Sequence, residues 1–146
     1  MKKTIIANWG QADKGKSATI KLIAEKIIKN YPNAILSPLN IEYSSDIKVI
    51  ITLGNIKIGI ESQGDPNSRL FSSLKEFSQV NCDLIICSTR TTGATVNAVN
   101  ALSKTDSYEI IWATNYRSID KNQDVLNDLS ANQIFELIQN LINNKI

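Results

Sequence analysis

The stretch Gly10-Gln11-Ala12-Asp13-Lys14-Gly15-Lys16-Ser17 satisfies the pattern G-x-x-x-x-G-K-[ST] at every position. A short apolar run, residues 4–7, comes just before it. A helical pattern follows it, with apolar residues spaced to cover one face: Ile20, Leu22, Ile23, Ala24, Ile27 and Ile28. The sequence therefore predicts a strand that enters a glycine-bearing loop, which in turn opens a helix.

A loop of this kind suits a phosphate group. Gly10 and Gly15 have no Cβ atom, so the backbone can bend and come close to a ligand. Successive N–H groups can point at an anion, and the start of the following helix adds partial positive charge. We expect Lys16 to reach the outer phosphates of a nucleotide and the Ser17 hydroxyl to ligate Mg²⁺. Lys14 either contacts phosphate or points into solvent.

On these residues the chain resembles the P-loop NTPase superfamily. The resemblance is detailed for roughly the first thirty residues and extends further only as topology. It implies a nucleoside triphosphate and Mg²⁺, but neither the base nor the reaction. The binding loop that it implies consists of Gly10, Gln11, Ala12, Asp13, Lys14, Gly15, Lys16 and Ser17. The alternative is a chance match, in which a strand–helix turn happens to carry a surface lysine.

Length and composition indicate an ordinary globular protein. The 146 residues suggest one nucleotide-binding domain over positions 1–146. Hydrophobic residues make up 42% and charged residues 21%, which is typical of soluble domains. The net charge of +2 gives no indication of nucleic-acid binding. With no apolar run of membrane-spanning length and no signal-peptide pattern, we expect a cytoplasmic protein.

The absence of histidine excludes several enzyme classes. With no histidine in the sequence, neither a histidine-dependent triad nor a histidine-ligated zinc site is possible. The two cysteines, Cys82 and Cys87, do not form a C-x-x-C pair. We interpret both as packing residues in a reducing compartment.

The order of the remaining elements predicts an α/β fold, a three-layer sandwich like that of P-loop NTPases with a mostly parallel sheet. Gly54-Asn55 joins two alternating runs, Lys48–Leu53 and Ile56–Glu61, and predicts one antiparallel hairpin. The predicted strands are residues 3–9, 34–36, 48–53, 56–61, 83–88 and 108–113. The predicted helices are residues 16–30, 66–80, 94–103 and 131–144, the second capped by Asp65 and the last by Ser130.

Ligands in such sheets bind at the carboxyl edge of the strands. That edge should carry residues 61–65, where an acidic residue for Mg²⁺ is expected from a strand beside the first one. Glu61 and Asp65 are the candidates. Glu61-Ser62-Gln63-Gly64 is similar to the GTPase D-x-x-G loop with Glu in place of Asp. Asp65 has the shorter side chain and lies nearer the loop tip, so we favour it. Gln63 either orients an attacking water or is an ordinary loop residue.

The three arginines, Arg69, Arg90 and Arg117, all fall near this edge. Arginine suits phosphate because its planar fork offers paired donors. Arg90 is the best candidate, since Thr89-Arg90-Thr91-Thr92-Gly93 comes directly after a strand and before a helix. This segment is either a second anion site or a capping loop with a solvated arginine.

Guanine recognition usually depends on an N-K-x-D stretch after a late strand. This chain has Thr114-Asn115-Tyr116-Arg117 there, so only Asn115 matches. Guanine recognition is therefore not supported, and we take ATP as the default ligand, with GTP as the alternative. Trp9 or Tyr116 either stacks on the base or packs against the protein.

The leading hypothesis is a small Mg²⁺-dependent protein that binds ATP through Lys16, Ser17 and Arg90. It would hydrolyse the nucleotide or use it as a conformational switch, acting on a protein partner. The alternative is a kinase that transfers the γ-phosphoryl group to a small acceptor, itself phosphate-bearing or acidic. A third possibility is a non-catalytic domain that keeps the loop for structure.

Overall fold

The computed structural model describes residues 1–11 and 15–146, and it has an α/β fold. Every predicted element is present, and α1, β3 and β4 have the predicted bounds. The elements in chain order are β1 (Thr4–Trp9), α1 (Lys16–Asn30), β2 (Ile35–Ser37), β3 (Lys48–Leu53), β4 (Ile56–Glu61), α2 (Leu70–Gln79), β5 (Leu84–Thr89), α3 (Ala94–Asp106), β6 (Glu109–Ala113) and α4 (Gln123–Ile142).

The six strands form one mixed sheet in the order β2-β3-β4-β5-β1-β6. Strand β1 runs parallel to both β5 and β6, and β4 runs parallel to β5. The predicted hairpin is confirmed, because β3 and β4 pair antiparallel. Strand β2 also pairs antiparallel with β3, which the sequence did not predict. Because β3 alone runs in the opposite direction, its first residues lie at the carboxyl edge of the other strands.

Helices cover both faces of the sheet. Adjacent residues of a strand point to opposite faces, so neighbouring residues of β1 pack against different helices. In β1, Ile6 belongs to a core cluster that includes Ile23 of α1 and Ile138 of α4. Its neighbour Ile5 belongs to a second cluster that includes Phe77 of α2 and residues of α3. Neither isoleucine is exposed to solvent. The arrangement agrees with the predicted three layers.

The second helix starts later than predicted, at Leu70. Its N-cap residue is Arg69, which makes no capping bond with its side chain. The prediction that Asp65 caps this helix is therefore wrong. The Asp65 carboxylate pairs with Arg90 instead, and residues 66–69 form a turn in which the Ser68 amide donates to the Asp65 carbonyl oxygen at 3.2 Å.

The last helix starts eight positions before the predicted residue 131, at Gln123. The Asn122 side chain caps it by accepting hydrogen bonds from the amides of Asp124 and Val125. Ser130 is a buried residue within the helix, where its hydroxyl accepts a bond from the Tyr116 amide at 2.9 Å. The predicted start at residue 131 and the predicted Ser130 cap are therefore wrong, because the buried positions of the first two turns, Asn127 and Ser130, are polar and show no apolar period. No helix in the described residues is long and apolar enough to cross a membrane.

Both cysteines are free and buried, as predicted for packing residues. Burial raises the pKa of Cys82 to about 11 and that of Cys87 to about 12. The Tyr108 hydroxyl donates to the Cys82 carbonyl oxygen at 2.5 Å, and burial raises the pKa of Tyr108 to about 12. All three groups are therefore neutral at physiological pH.

Candidate functional site

Two clefts adjoin at the carboxyl edge of the sheet, where ligand binding was expected. The first cleft has a volume of about 140 Å³, and its walls include Lys16, Ser17, Asp46, Ser62, Gly64 and Asp65. The second cleft has a volume of about 170 Å³, and its walls include Trp9, Gln11, Lys16, Thr91, Asn115 and Arg117. Lys16 borders both clefts, so it lies in the wall between them.

The glycines of the motif have different roles in the backbone. Gly15 precedes α1 with a φ of +77°, a conformation that L-residues rarely adopt. Gly10 has no such conformation, and a Cβ atom there would lie 3.4 Å from Lys16 Cδ, which is ordinary contact. Ala12, Asp13 and Lys14 lie outside the described residues, so their assignment to the phosphate-binding loop remains a prediction.

The Lys16 side chain is buried, with a relative exposure of 8%. Its ammonium donates to the carbonyl oxygens of Gly10 at 2.6 Å and Thr89 at 2.7 Å. The lysine therefore lies across the ends of β1 and β5 and holds its charge next to both clefts. The Thr89 hydroxyl is buried nearby without a hydrogen-bond partner in the described structure.

Ser17 is held by an aspartate that the sequence analysis did not select. The Ser17 hydroxyl lies 2.6 Å from Asp46 Oδ1, and the Ser62 hydroxyl lies 2.7 Å from the same oxygen. Ser62 Oγ in turn accepts a bond from the Ile47 amide at 2.8 Å. A carboxylate can only accept, so both hydroxyls donate to Asp46. These contacts connect the start of α1, the start of β3 and the loop after β4.

The surroundings of Asp46 favour its charged form. Partial burial by itself raises the pKa of Asp46, but the bonds from Ser17 and Ser62 and the charges of Lys21 and Arg69 outweigh it. The pKa of Asp46 is therefore lower than that of an ordinary aspartate. The carboxylate is ionised at neutral pH.

Glu61, one of the two predicted metal ligands, lies inside the protein rather than in the wall of the cleft. Its side chain is fully buried, and it accepts bonds from Arg69 Nε at 2.8 Å, the Ser73 hydroxyl at 2.6 Å and the Gln63 amide at 2.9 Å. The Gln63 side-chain oxygen accepts from the Arg69 amide at 3.0 Å. Glu61 and Gln63 thus fix the fold of the loop between β4 and α2.

The second predicted ligand, Asp65, does line the first cleft, but Arg90 neutralises it. Arg90 Nη2 and Nε lie 3.0 and 3.1 Å from Asp65 Oδ1. The Arg90 amide donates to the hydroxyl of Thr95 in the first turn of α3, and this bond ties the loop after β5 to that helix. The structure thus brings together two residues that the sequence assigned separately to metal and to phosphate.

The predicted position of the acidic residue beside the first strand is wrong, because β5 lies between β4 and β1. The loop after β4 nevertheless reaches the first cleft by crossing the end of β5 closely. A Cβ atom on Gly64 would lie 2.3 Å from Ser88 Oγ and 2.5 Å from the Ser88 carbonyl oxygen. Only glycine fits at this crossing.

Asn115, which is half-buried in the wall of the second cleft, belongs to a network of hydrogen-bonded polar side chains. Its Oδ1 accepts from Asn8 Nδ2 at 2.8 Å, and its Nδ2 donates to Thr19 Oγ1 at 2.8 Å and to Asn127 Oδ1 at 3.0 Å. Asn127 also presses on the start of α1, since a Cβ atom on Gly15 would lie 2.2 Å from Asn127 Oδ1. The network fixes α4 against the glycine-bearing loop.

A magnesium ion fits the oxygen atoms that the first cleft provides. Mg²⁺ prefers hard oxygen ligands and keeps several waters, so one hydroxyl and one carboxylate are sufficient protein ligands when a substrate supplies phosphate. Ser17 and Asp46 are such a pair. No group of three or more Asp, Glu or Cys residues that could hold a metal occurs in residues 1–11 and 15–146.

The residues that the sequence analysis missed, Asp46 and Ser62, had a detectable signal. Once the hairpin is predicted, β3 must begin at the edge where β4 ends, because the two strands run in opposite directions. The pairing of Lys48 with Glu61 shows this register. Asp46, two residues before β3, and Ser62, directly after β4, were therefore candidates.

Comparison with known proteins gives no relative on which to base an assignment. No protein-family model matches the chain, and searches of curated proteins and of solved structures also find no match.

Proposed function

We propose that the chain binds a nucleoside triphosphate, ATP, together with Mg²⁺, and that it hydrolyses the nucleotide or switches conformation with it. One observation carries this proposal. Lys16 and Ser17, which the motif assigns to phosphate and to magnesium, line the same cleft with an ionised carboxylate, Asp46.

The described residues support a charge-positioning role. The Lys16 ammonium is anchored beside the cleft before any ligand enters, so little side-chain entropy is lost when it meets a phosphate. The amino end of α1 begins at this same wall and favours negative charge. When bound, Mg²⁺ would neutralise charge on the phosphate oxygens.

The choice of ATP rests on the hydrogen bonds that Asn115 makes within the protein. Both ends of its side-chain amide are engaged by Asn8, Thr19 and Asn127, so reading a guanine would require these hydrogen bonds to be broken. Binding of adenine would not use Asn115, so these hydrogen bonds could remain in place.

Calorimetric titration with ATP and Mg²⁺ tests the proposal. Lys16→Ala should weaken binding by about tenfold to a hundredfold, as expected for the loss of one or two charge-assisted hydrogen bonds. Lys29→Ala removes an exposed lysine at the far end of the same helix and should leave binding unchanged. Equal affinity of the Lys16→Ala and parent proteins would contradict the proposed function.

A second candidate, phosphoryl transfer to a small acceptor, is favoured by the second cleft. Thr91 and Arg117 lie in its walls, on the opposite side of Lys16 from Asp46, where an anionic acceptor would meet a cation and a hydroxyl. The Arg117 guanidinium donates to Gln11 Oε1 at 3.3 Å and is otherwise exposed.

Product analysis separates the two candidates. Hydrolysis releases one inorganic phosphate for each ADP, whereas transfer yields ADP without free phosphate once the acceptor is supplied. Under transfer, Arg117→Ala should raise the acceptor KM and leave ATP affinity unchanged. Stoichiometric phosphate release with every acceptor class tested, anionic sugars and nucleotides included, would eliminate the kinase.

A further inference from the structure

We propose that Asp46, rather than Glu61 or Asp65, is the carboxylate that serves Mg²⁺ in the first cleft, and that it does so both through its charge and by orienting the Ser17 hydroxyl. This inference rests on the proposed nucleotide binding. It assigns the acidic residue to the start of the antiparallel strand β3, whereas the sequence placed it after β4.

The hydrogen bond between Ser17 and Asp46 fixes the direction of the serine proton. Because the hydroxyl donates to Asp46 Oδ1 at 2.6 Å, the two lone pairs of Ser17 Oγ are directed away from Asp46. Metal ligation requires a lone pair, so this orientation prepares Ser17 as a ligand. A serine that donated elsewhere would first have to rotate.

The position of Asp46 is itself fixed by buried groups. Ser62 is 1% exposed, and its hydroxyl donates to Asp46 Oδ1 while accepting from the Ile47 amide. The Ser62 amide also donates to the Ile47 carbonyl oxygen at 3.0 Å. The carboxylate therefore rests on a rigid junction between β3 and the loop after β4. Both of its hydroxyl partners use Oδ1, and none of the hydrogen bonds among the described residues uses Oδ2, which leaves that oxygen to accept from a metal-bound water.

The two competing carboxylates are less suited to the task. Glu61 is fully buried and already accepts three hydrogen bonds, from Arg69, Ser73 and Gln63. Asp65 carries an arginine on its Oδ1, so a cation there would compete with the guanidinium of Arg90. Asp46 is the remaining carboxylate in the wall of the first cleft, among the residues that the structure describes.

The test is the effect of Mg²⁺ on ATP affinity, measured by calorimetry in EDTA and in saturating Mg²⁺. In the parent we expect Mg²⁺ to strengthen ATP binding by about 5- to 150-fold, the usual range of coupling between two ligands. In Asp46→Asn this enhancement should fall below about threefold, since the carboxylate charge is lost while the acceptor oxygen and the side-chain size remain. In EDTA the variant should bind ATP at least as tightly as the parent, because a repulsion with the triphosphate has been removed.

Two control variants make the outcome specific. Asp65→Asn and Asp120→Asn remove the same charge, the first from the wall of the same cleft and the second from an exposed position outside both clefts. Both should retain the enhancement of the parent. Retention in Asp46→Asn, or loss in Asp65→Asn, would overturn the assignment to Asp46 while leaving nucleotide binding intact. A parent protein that binds no ATP in either buffer would instead overturn the proposed function.

A double-variant cycle tests the orienting role. Asp46→Ala removes the acceptor oxygen as well as the charge. Ser17→Ala should remove as much of the Mg²⁺ enhancement as Asp46→Ala does, and the double variant should lose no more than either single one. Additive losses would show that the two side chains act separately and would contradict orientation through the hydrogen bond. Ser62→Ala, which keeps both charge and ligand, should give an intermediate loss; an unchanged enhancement would show that Ser62 does not position Asp46.

Discussion

Arg90 and Asp65 form an ion pair beside the first cleft, whose wall includes Asp65, with Arg90 Nη2 3.0 Å from Asp65 Oδ1. The pair joins the loop after β4 to the loop after β5. The two side chains are 36% and 69% exposed, so water surrounds much of the interaction. The sequence assigned the arginine to phosphate and the aspartate to Mg²⁺, and the structure pairs the two side chains with each other.

The first prediction concerns the strength of this pair. Because exposed ion pairs are screened by solvent and lose side-chain entropy, we expect a coupling of about 0.2–1 kcal/mol between Asp65 and Arg90. Urea unfolding of Asp65→Asn, Arg90→Gln and the double variant measures it. A coupling well above that range would show that the pair is a structural clamp between the two loops.

The second prediction concerns the pair formed by the buried Glu61 carboxylate and the partly exposed Arg69 side chain. Glu61→Ala removes the acceptor of Arg69 Nε and of the Ser73 hydroxyl, both held at the fully buried carboxylate. Breaking such a pair is costly, and since the Arg69 side chain is 38% exposed we expect a loss of about 3 kcal/mol in the free energy of unfolding.

Glu42→Ala is the matched control, because Glu42 is exposed and should change stability by no more than about 0.5 kcal/mol. Glu61→Gln, which keeps two polar ends of the same shape, should cost less than Glu61→Ala. Denaturant unfolding of the three variants decides the matter. A Glu61→Ala protein as stable as the Glu42→Ala protein would mean that the buried cluster does not hold the loop between β4 and α2.

Local patterns were enough to predict most of the fold. The hairpin was predictable because Gly54-Asn55 separates two alternating runs. Helix α1 was predictable because its apolar residues recur regularly along one face. The start of α4 could not be predicted from the sequence pattern. Its first turns carry polar residues that face the amide network, including the buried Asn127, and so they lack the apolar period of an ordinary amphipathic helix.

The site was predicted less completely than the fold, because its contacts depend on sheet order. The motif located Lys16 and Ser17, and the structure places both in one cleft. The expectation of an acidic residue beside β1 failed because β5 is inserted between β4 and β1. A local sequence pattern does not predict the position of β5 between β4 and β1. Nor does it predict the contact between Ser17 and Asp46, which are distant in sequence.

The third prediction is a loss of stability at alkaline pH. Burial raises the pKa of Cys82 to about 11 and that of Cys87 to about 12, whereas an unfolded cysteine has a pKa near 8.5. Between those values the unfolded state has released protons that the folded state retains. Stability is therefore fully present below about pH 8.5 and falls as the pH rises towards 11.

Urea unfolding at pH 8 and at pH 10.5 measures this loss, and Cys82→Ala and Cys87→Ala should each make the fall shallower. Tyr108 contributes to the remaining slope, since burial raises its pKa to about 12. The same burial predicts that neither thiol of the native protein reacts with a maleimide at pH 7.5, although both react in urea. Rapid labelling of the native protein would contradict the buried positions of the two cysteines.

The fourth prediction concerns the crossing of Gly64 over Ser88. Gly64→Ala would place its methyl group 2.5 Å from the Ser88 carbonyl oxygen, and a backbone atom cannot rotate away as a side chain can. We expect the loop after β4 to shift and the free energy of unfolding to fall by about 1–3 kcal/mol, as for other overpacked sites.

Gly10→Ala is the control, because its methyl group would lie 3.4 Å from the flexible Lys16 chain and should be tolerated in the fold. Adding Ser88→Ala to Gly64→Ala removes only the hydroxyl contact and should restore stability in part. Full restoration would show that the side chain, not the backbone of β5, sets the requirement for glycine.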